Sequence, residues 1–403
     1  MATLILPDAP WRHRAGLGRL CTVLGAETGE SRFVGGAVRD TLLGLSVNDV
    51  DIATRLAPDD VVDRLRAAHI KAVPTGIAHG TITAVLPDGP VEVTTLRRDV
   101  ATDGRHATIT YTDDWREDAA RRDFTINALY ADPLTGTVYD YFGGLDDLDR
   151  HVVRFIGDPL QRIAEDHLRI LRFFRFLTRF GDEPDAAGLA ACAARANDLM
   201  ALSRERIADE LLKLLVAKRA PAMVPVMLSN GIFRPVLPEL RNTDRLAKVA
   251  ALEHDAGIAP DPLRRLAALL PDDPAIGEAI GARLKMSTAH RRRLATALDA
   301  EALPPPRALV YRLGIVGATD RLFLHGSTET ALSAFRSIAQ WNVPLLPLSG
   351  GALVERGIGR GPDVARTLRA IEDQWVAEDF PGNERLAEIV DSAVDQALRS
   401  IRN

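Results

Sequence analysis

Two aspartates one residue apart, Asp49 and Asp51, have a type and spacing that suggest chemistry in this 403-residue chain. They open a short apolar run at 49–54, and residues i and i+2 of a strand share a face. Side by side, two carboxylates repel unless a cation lies between them. Oxygen donors without His or Cys favour Mg²⁺. A lone DxD is also common in solvated loops, so its surroundings decide. Upstream, Gly35-Gly36 closes a strand-like run and leads into a helical one. Its amides can approach a phosphate, or simply make a tight turn. Arg39 follows one helical turn later. Downstream, Glu92 is flanked by Val91 and Val93. Buried there it needs a partner or a metal, whereas on a half-exposed strand it faces water. On a neighbouring strand facing the pair, it would complete a two-metal phosphoryl-transfer site.

A second set of residues is cationic. Arg121-Arg122-Asp123 lies within 115–130, which reads as one amphipathic helix with apolar positions at 120, 124, 128 and 129. Arg121 and Arg122 can pair with Glu117 and Asp118 along that helix. Alternatively Arg122 serves a triphosphate, because a guanidinium fork suits phosphate oxygens. Within 165–175, Asp166, Arg169, Arg172 and Arg175 recur every third residue. On a helix that spacing sets them along one slowly rotating face, which is equally the pattern of a solvated stripe.

These residues need elements to hold them. Runs at 31–35, 49–54, 80–86 and 90–96 are short, rich in Val, Ile and Thr, and bounded by Gly, Pro or Asp, as strands are. Helical patterns at 37–43 and 58–68 separate some of them, so the first third is mixed α/β. The polar, Gly-containing run 97–106 reads as an irregular loop. From about 144 onward helical periodicity dominates, punctuated by Pro and Gly, with no convincing repeat and no low-complexity tract. A length of 403 suggests two to four structural units. With 46% hydrophobic and 26% charged residues the balance is that of a soluble globular protein. A net charge of -5 does not announce a nucleic-acid partner, although a local basic face is compatible with it. Cys21 and Cys192 lie in no CxxC or Cys/His cluster, which argues against a disulfide framework or a zinc site and fits a reducing cytoplasm. The N-terminus lacks signal-peptide order, and no run of about 20 apolar residues suggests a membrane span.

The ordered set Gly35-Gly36-Ala37-Val38-Arg39-Asp40, Leu42-Leu43-Gly44 and Asp49-Val50-Asp51 resembles the signature of the polymerase β-like nucleotidyltransferases. More narrowly it is similar to the bacterial-type, class II tRNA CCA-adding enzymes and the related bacterial poly(A) polymerases. The resemblance implies an α+β chain: a polymerase β-like nucleotidyltransferase head over 1–143, then an elongated all-α neck at 144–205, body at 206–330 and tRNA-binding tail at 331–403. It implies that Asp49 and Asp51 bind two Mg²⁺ ions with Glu92 as third carboxylate, and that Gly35, Gly36 and Arg39 contact the nucleotide. Residues 121–128 match the family's second motif, which puts Arg122 on the triphosphate and ties Asp123 to the ribose. Residues 165–175 match its base-reading motif.

The chemistry of that motif is coherent. Cytosine and adenine both present an exocyclic amine beside a ring-nitrogen acceptor. Asp166 would accept from the amine and Arg169 would donate to the ring, while guanine and uracil would set a carbonyl against the carboxylate. Arg172 and Arg175 would serve the base, the phosphates or the helix itself. In CCA-adding relatives the loop matching 97–106 helps the switch from C to A, which argues against a CC-only enzyme. Residues 75–83 resemble the CCA-adding pattern and lack the Gly-Arg-Arg-Phe stretch of poly(A) polymerases. The expected function is therefore template-independent, Mg²⁺-dependent addition of CCA to the tRNA 3′ end from CTP and ATP, releasing pyrophosphate. Poly(A) tailing, partial CC or A addition, and non-catalytic RNA binding are the alternatives. In the helical remainder, tRNA would be held by shape and phosphates. The basic cluster 290–293 and the glycine-rich 357–362 are candidates there, or else a solvated helix face and an interhelical turn. No His-Asp metal motif suggests an appended phosphohydrolase.

Overall fold

A computed structural model describes residues 4–102, 107–359 and 361–402. It divides into two units, Met1–Pro238 and Glu239–Asn403.

The first unit is built on strands β1 Ser31–Val34, β2 Asp51–Thr54, β3 Lys71–Gly76, β4 Thr81–Leu86, β5 Gly89–Thr95, β6 Arg97–Thr102, β7 Ala107–Tyr111, β8 Leu129–Ala131 and β9 Val138–Asp140. Its helices are α1 Leu17–Val23, α2 Gly36–Leu42, α3 Pro58–Ala67, α4 Trp115–Ala120, α5 Gly144–Asp149, α6 Pro159–Glu165, α7 Arg169–Phe180, α8 Ala186–Ala194, α9 Arg204–Leu215 and α10 Ala220–Ser229. Seven strands form one sheet in the order β3-β4-β5-β2-β1-β8-β9, and β6 pairs with β7 separately. The central strands carry the site. β2 runs parallel to β5 with Asp51 opposite Glu92, and antiparallel to β1 with Asp51 opposite Val34. Ile52, Ile82, Val91 and Val93 are fully buried along these strands, so a slip of one residue would turn them to the wrong face.

Three expectations are corrected. The helix over 115–130 ends after Ala120; Thr125–Asn127 is a short 3₁₀ turn, and β8 follows. Ladder pairing of Tyr130 with Val34 and Ala131 with Phe33 outweighs the helical pattern. Asp166 is not on one helix with the arginines. It sits in extended backbone between α6 and α7, at φ -149 and ψ 107. The loop at 97–106 begins as a strand: Arg97 faces Tyr111 and Arg98 faces Thr110. Its remaining residues, 103–106, lie outside the described residues.

α7 alternates arginines with aromatics, and the aromatics anchor it. Phe124 meets Phe155 at 5.0 Å and Phe176 at 5.2 Å, while Phe155 stacks on Phe173 at 5.4 Å. Arg169, Arg172, Arg175 and Arg179 project beside these rings, with Arg172 and Arg175 over Phe176 at 5.2 and 4.5 Å and Arg179 over Phe180 at 4.8 Å. Close packing also requires Gly144, where a Cβ would lie 2.3 Å from the Thr125 carbonyl oxygen.

Among the described residues of the second unit every element is a helix, from Thr243–Asp255 to Asn383–Arg402. Trp375, Ile371 and Ile389 lie in one of its apolar clusters. Buried ion pairs also hold it: Glu253 binds Arg264 at 2.9 Å and Arg265 at 2.7 Å, and Asp320 binds Arg264 and Arg293. The basic cluster at 290–293 is partly absorbed here, since Arg293 is paired with Asp320 and Arg291 with Glu278. In 357–362, Ile358 is buried in the same apolar cluster, and Arg360 lies outside the described residues. Among the described residues, no helix is long and apolar enough to cross a membrane.

Candidate active site

A cavity of about 620 Å³ opens in the first unit, large enough for a nucleoside triphosphate. It gathers Gly35, Gly36, Arg39, Asp49, Asp51, Arg122, Asp123, Asp166, Arg169 and Arg172 from four stretches of chain. Arg175 is not among its lining residues. Glu92 is also outside the lining, yet it stands beside Asp51 across the β2–β5 ladder and is exposed.

The turn between β1 and α2 begins the site. Gly35 has φ +70 and ψ -124, a backbone conformation that L side chains rarely adopt, and its N–H donates to the Leu129 carbonyl at 3.0 Å. Arg39 is buried one turn on. Its Nε donates to Asp40 Oδ1 at 2.8 Å, Nη1 donates to Asn127 Oδ1, and the guanidinium lies 4.1 Å above the Phe180 ring. Burial lowers its pKa and Asp40 counters that, so the group stays a fixed cation.

Asp49 lies two residues before β2 and is exposed; Asp51 is half-buried. Burial, then the Glu92 carboxylate, then that of Asp49 push Asp51 up to about 6 against the pull of Arg122. The like-charge part of this shift is what a cation placed beside the three carboxylates would relieve. Among the described residues, no group of three His, Cys, Asp or Glu side chains already closes around one point.

The cationic wall rests on a buried carboxylate. Asp118 on α4 accepts from Arg121 Nε at 2.8 Å, Arg122 Nη2 at 3.2 Å and the Tyr130 hydroxyl at 2.6 Å. Burial raises its pKa, but these partners outweigh it and hold the carboxyl at about 2. Pairing of Arg121 and Arg122 along the helix and a role toward phosphate thus coexist, because the anchored guanidiniums still line the cavity. Asp123 is saturated: Oδ2 accepts from Arg172 Nε at 2.8 Å and Nη2 at 2.5 Å, and Oδ1 accepts from Asn127 Nδ2 and the Phe124 N–H. It anchors Arg172 in this structure.

The Arg169 N–H donates to the Asp166 carbonyl at 3.0 Å, but among the described residues their side chains are not bonded to each other. Arg169 Nη1 donates to Glu165 Oε2 at 2.6 Å and to the Arg162 carbonyl, and Nη2 to the Arg121 carbonyl at 2.9 Å. Among the described residues its Nε–H and one Nη2–H have no partner. Asp166 is held by Arg206 of α9 at 3.0 Å. Arg175 donates to Glu210 at 2.5 Å, outside the cavity. Sequence reasoning missed Asn127, Tyr130 and Arg206, and saw Asp118 and Asp40 without a function. Asp118 carried a signal, its i,i+4 spacing to Arg122; Arg206 carried none.

Residues 31–154 match the family described as Poly A polymerase head domain, and 184–243 match Probable RNA and SrmB- binding site of polymerase A. The chain is 36% identical over 376 residues to the mitochondrial CCA tRNA nucleotidyltransferase 1 of Mus musculus, covering 89% of this chain and 86% of that one. It is 32% identical to the CCA-adding enzyme of Levilactobacillus brevis, over 89% of this chain and 92% of the relative. The Bacillus stearothermophilus CCA-adding enzyme, solved in complex with CTP, superposes with a TM-score of 0.75 at 27% identity, covering 95% of this chain and 99% of that one. Identity at this level over most of both lengths, on the fold and motifs described, means that the chain belongs to the family of CCA-adding tRNA nucleotidyltransferases.

Proposed function

We propose that this protein completes tRNA, adding C, C and A to its 3′ end from CTP and ATP without a nucleic-acid template and releasing pyrophosphate. The observation that carries the reading is the single cavity in which an acidic pair and anchored arginines meet Asp166 and Arg169. Similarity to enzymes named for CCA addition, one of them bound to CTP, supports it.

In this reading the start of α2 at Gly36 and Arg39 receive the triphosphate, since a helix N-terminus and an immobile guanidinium suit phosphate oxygens. Arg122, held by Asp118 and Tyr130, faces the same charge without having to reorganise. The 3′-hydroxyl oxygen of tRNA attacks the α-phosphorus in line, and the bond to pyrophosphate breaks. Asp166 accepts from the exocyclic amine of C or A, and the free N–H groups of Arg169 donate to the ring. Asp49, Asp51 and Glu92 fit a hard divalent cation: their donors are all oxygen, and burial together with their mutual repulsion already raises Asp51. Mg²⁺ held there, as two ions, would supply a lowered hydroxyl pKa and charge neutralisation on the leaving pyrophosphate. The neck at 144–205, body at 206–330 and tail at 331–403 belong to the same reading, as tRNA-holding segments. So does a cytoplasmic placement, which the two free, buried cysteines support.

Transcribed tRNA lacking CCA, incubated with CTP, ATP and Mg²⁺, should lengthen by three nucleotides and stop. A long A ladder would refute CCA addition in favour of tailing. Asp51→Ala should abolish extension while the protein stays folded, because it removes a carboxylate that burial and like charge disfavour. Near-normal turnover by that variant would refute the metal assignment.

A further inference from the structure

Asp166 is poised by a residue from outside its own segment. Arg206 Nη2 lies 3.2 Å from Asp166 Oδ1 and 3.0 Å from Oδ2. The Leu168 N–H donates to Oδ1 at 3.1 Å. Oδ1 therefore accepts two hydrogen bonds and Oδ2 one, so Oδ2 keeps an open acceptor position. The Arg206 guanidinium bonds nothing else among the described residues. It stands in the first turn of α9, whose N-cap Ser203 fixes that turn and which packs on α7. One turn on, Glu210 of the same helix holds Arg175.

We propose that Arg206 is a positioning residue for nucleotide selection, pinning the Asp166 carboxylate so that Oδ2 is the atom offered to the incoming base. The proposal rests on the reading that Asp166 accepts from the amine of C or A. A pinned carboxylate oxygen repels the carbonyl of U or G and cannot turn aside, whereas an unpinned one rotates away or swings onto Arg169. Discrimination depends on rigidity as much as on charge, because a site rejects the wrong polarity only if its acceptor cannot relax.

The test compares incorporation of C against U, and of A against G, by the full-length chain, by Arg206→Ala and by Arg206→Lys, on tRNA substrates lacking the 3′ residues. For Arg206→Ala the ratio of kcat/KM for CTP to that for UTP should fall about tenfold or more, the scale of one lost polar discrimination. KM for CTP should rise while KM for tRNA holds. Arg206→Lys, which retains one charged donor, should fall between. A merely structural arginine would lower the melting temperature or the kcat with all nucleotides alike and leave the ratios unchanged. That result, with the unaltered protein adding CCA normally, overturns the proposal. Should Arg206→Ala unfold, the ratio must still drop in Arg206→Lys or the proposal fails. If the unaltered protein adds neither C nor A, the functional reading itself falls, whatever Arg206 does.

Discussion

Asp118→Asn tests whether one buried carboxylate carries the cationic wall of the site. Burial alone would push the Asp118 carboxyl up; the guanidiniums of Arg122 and Arg121, with the Tyr130 hydroxyl, bring it from 3.8 to about 2. At roughly 1.4 kcal/mol per pH unit, that depression corresponds to about 2 kcal/mol of folding free energy. The side chain is 1% exposed, so solvent screens little of it. Because the folded pKa lies below the unfolded one, this stabilisation is complete above about pH 4 and fades as pH falls toward about 2. Asparagine keeps the volume but turns an N–H₂ toward a guanidinium. Urea unfolding at neutral pH should therefore show a loss of about 2 kcal/mol, and the gap between variant and parent should close on acidification through that window. Extension kinetics should show KM for CTP raised about tenfold, as expected when charge-assisted contacts to phosphate lose their fixed geometry. A stability gap that persists undiminished at low pH would refute the electrostatic argument. Lost stability with unchanged KM would remove Arg122 from the nucleotide.

Other consequences follow from single contacts. Glu92→Gln should raise the Mg²⁺ concentration for half-maximal extension several-fold in a metal titration, since it removes one of three oxygen-donor charges. Arg175→Ala should leave KM for CTP within about twofold, because its guanidinium is bound to Glu210 outside the cavity; a large change would restore it to the base-reading set. Gly144→Ala sets a Cβ against the Thr125 carbonyl oxygen and should cost on the order of 1–3 kcal/mol by thermal unfolding, the usual scale of overpacking. Glu253→Ala leaves Arg264 and Arg265 short of a buried partner and should cost about 3–5 kcal/mol in the second unit.

What could be read from the sequence was what local spacing determines. Asp49 and Asp51 are two residues apart, and Arg39 lies one turn from Gly35-Gly36, so chain geometry alone brings each set together. The strands β1, β2, β4 and β5 were legible for the same reason: short β-branched runs between turn residues. β8 was not, because 115–130 carries a good helical pattern and only pairing with β1 reveals that its end is a strand. The same limit governs the site. Asp118 and Arg122 sit at helical spacing, but Tyr130, which completes their triangle, arrives on a strand. Arg206 is forty residues from the carboxylate it holds and reaches it only because α9 packs on α7. The triplet spacing of Asp166, Arg169, Arg172 and Arg175 suggested one stripe with one task. In the fold their main partners differ: Arg206, Glu165, Asp123 and Glu210 respectively, with Glu210 also reaching Arg172 at 3.9 Å. Periodicity says which residues share a face; which of them keep donors and acceptors free for a substrate is decided by partners that periodicity does not see.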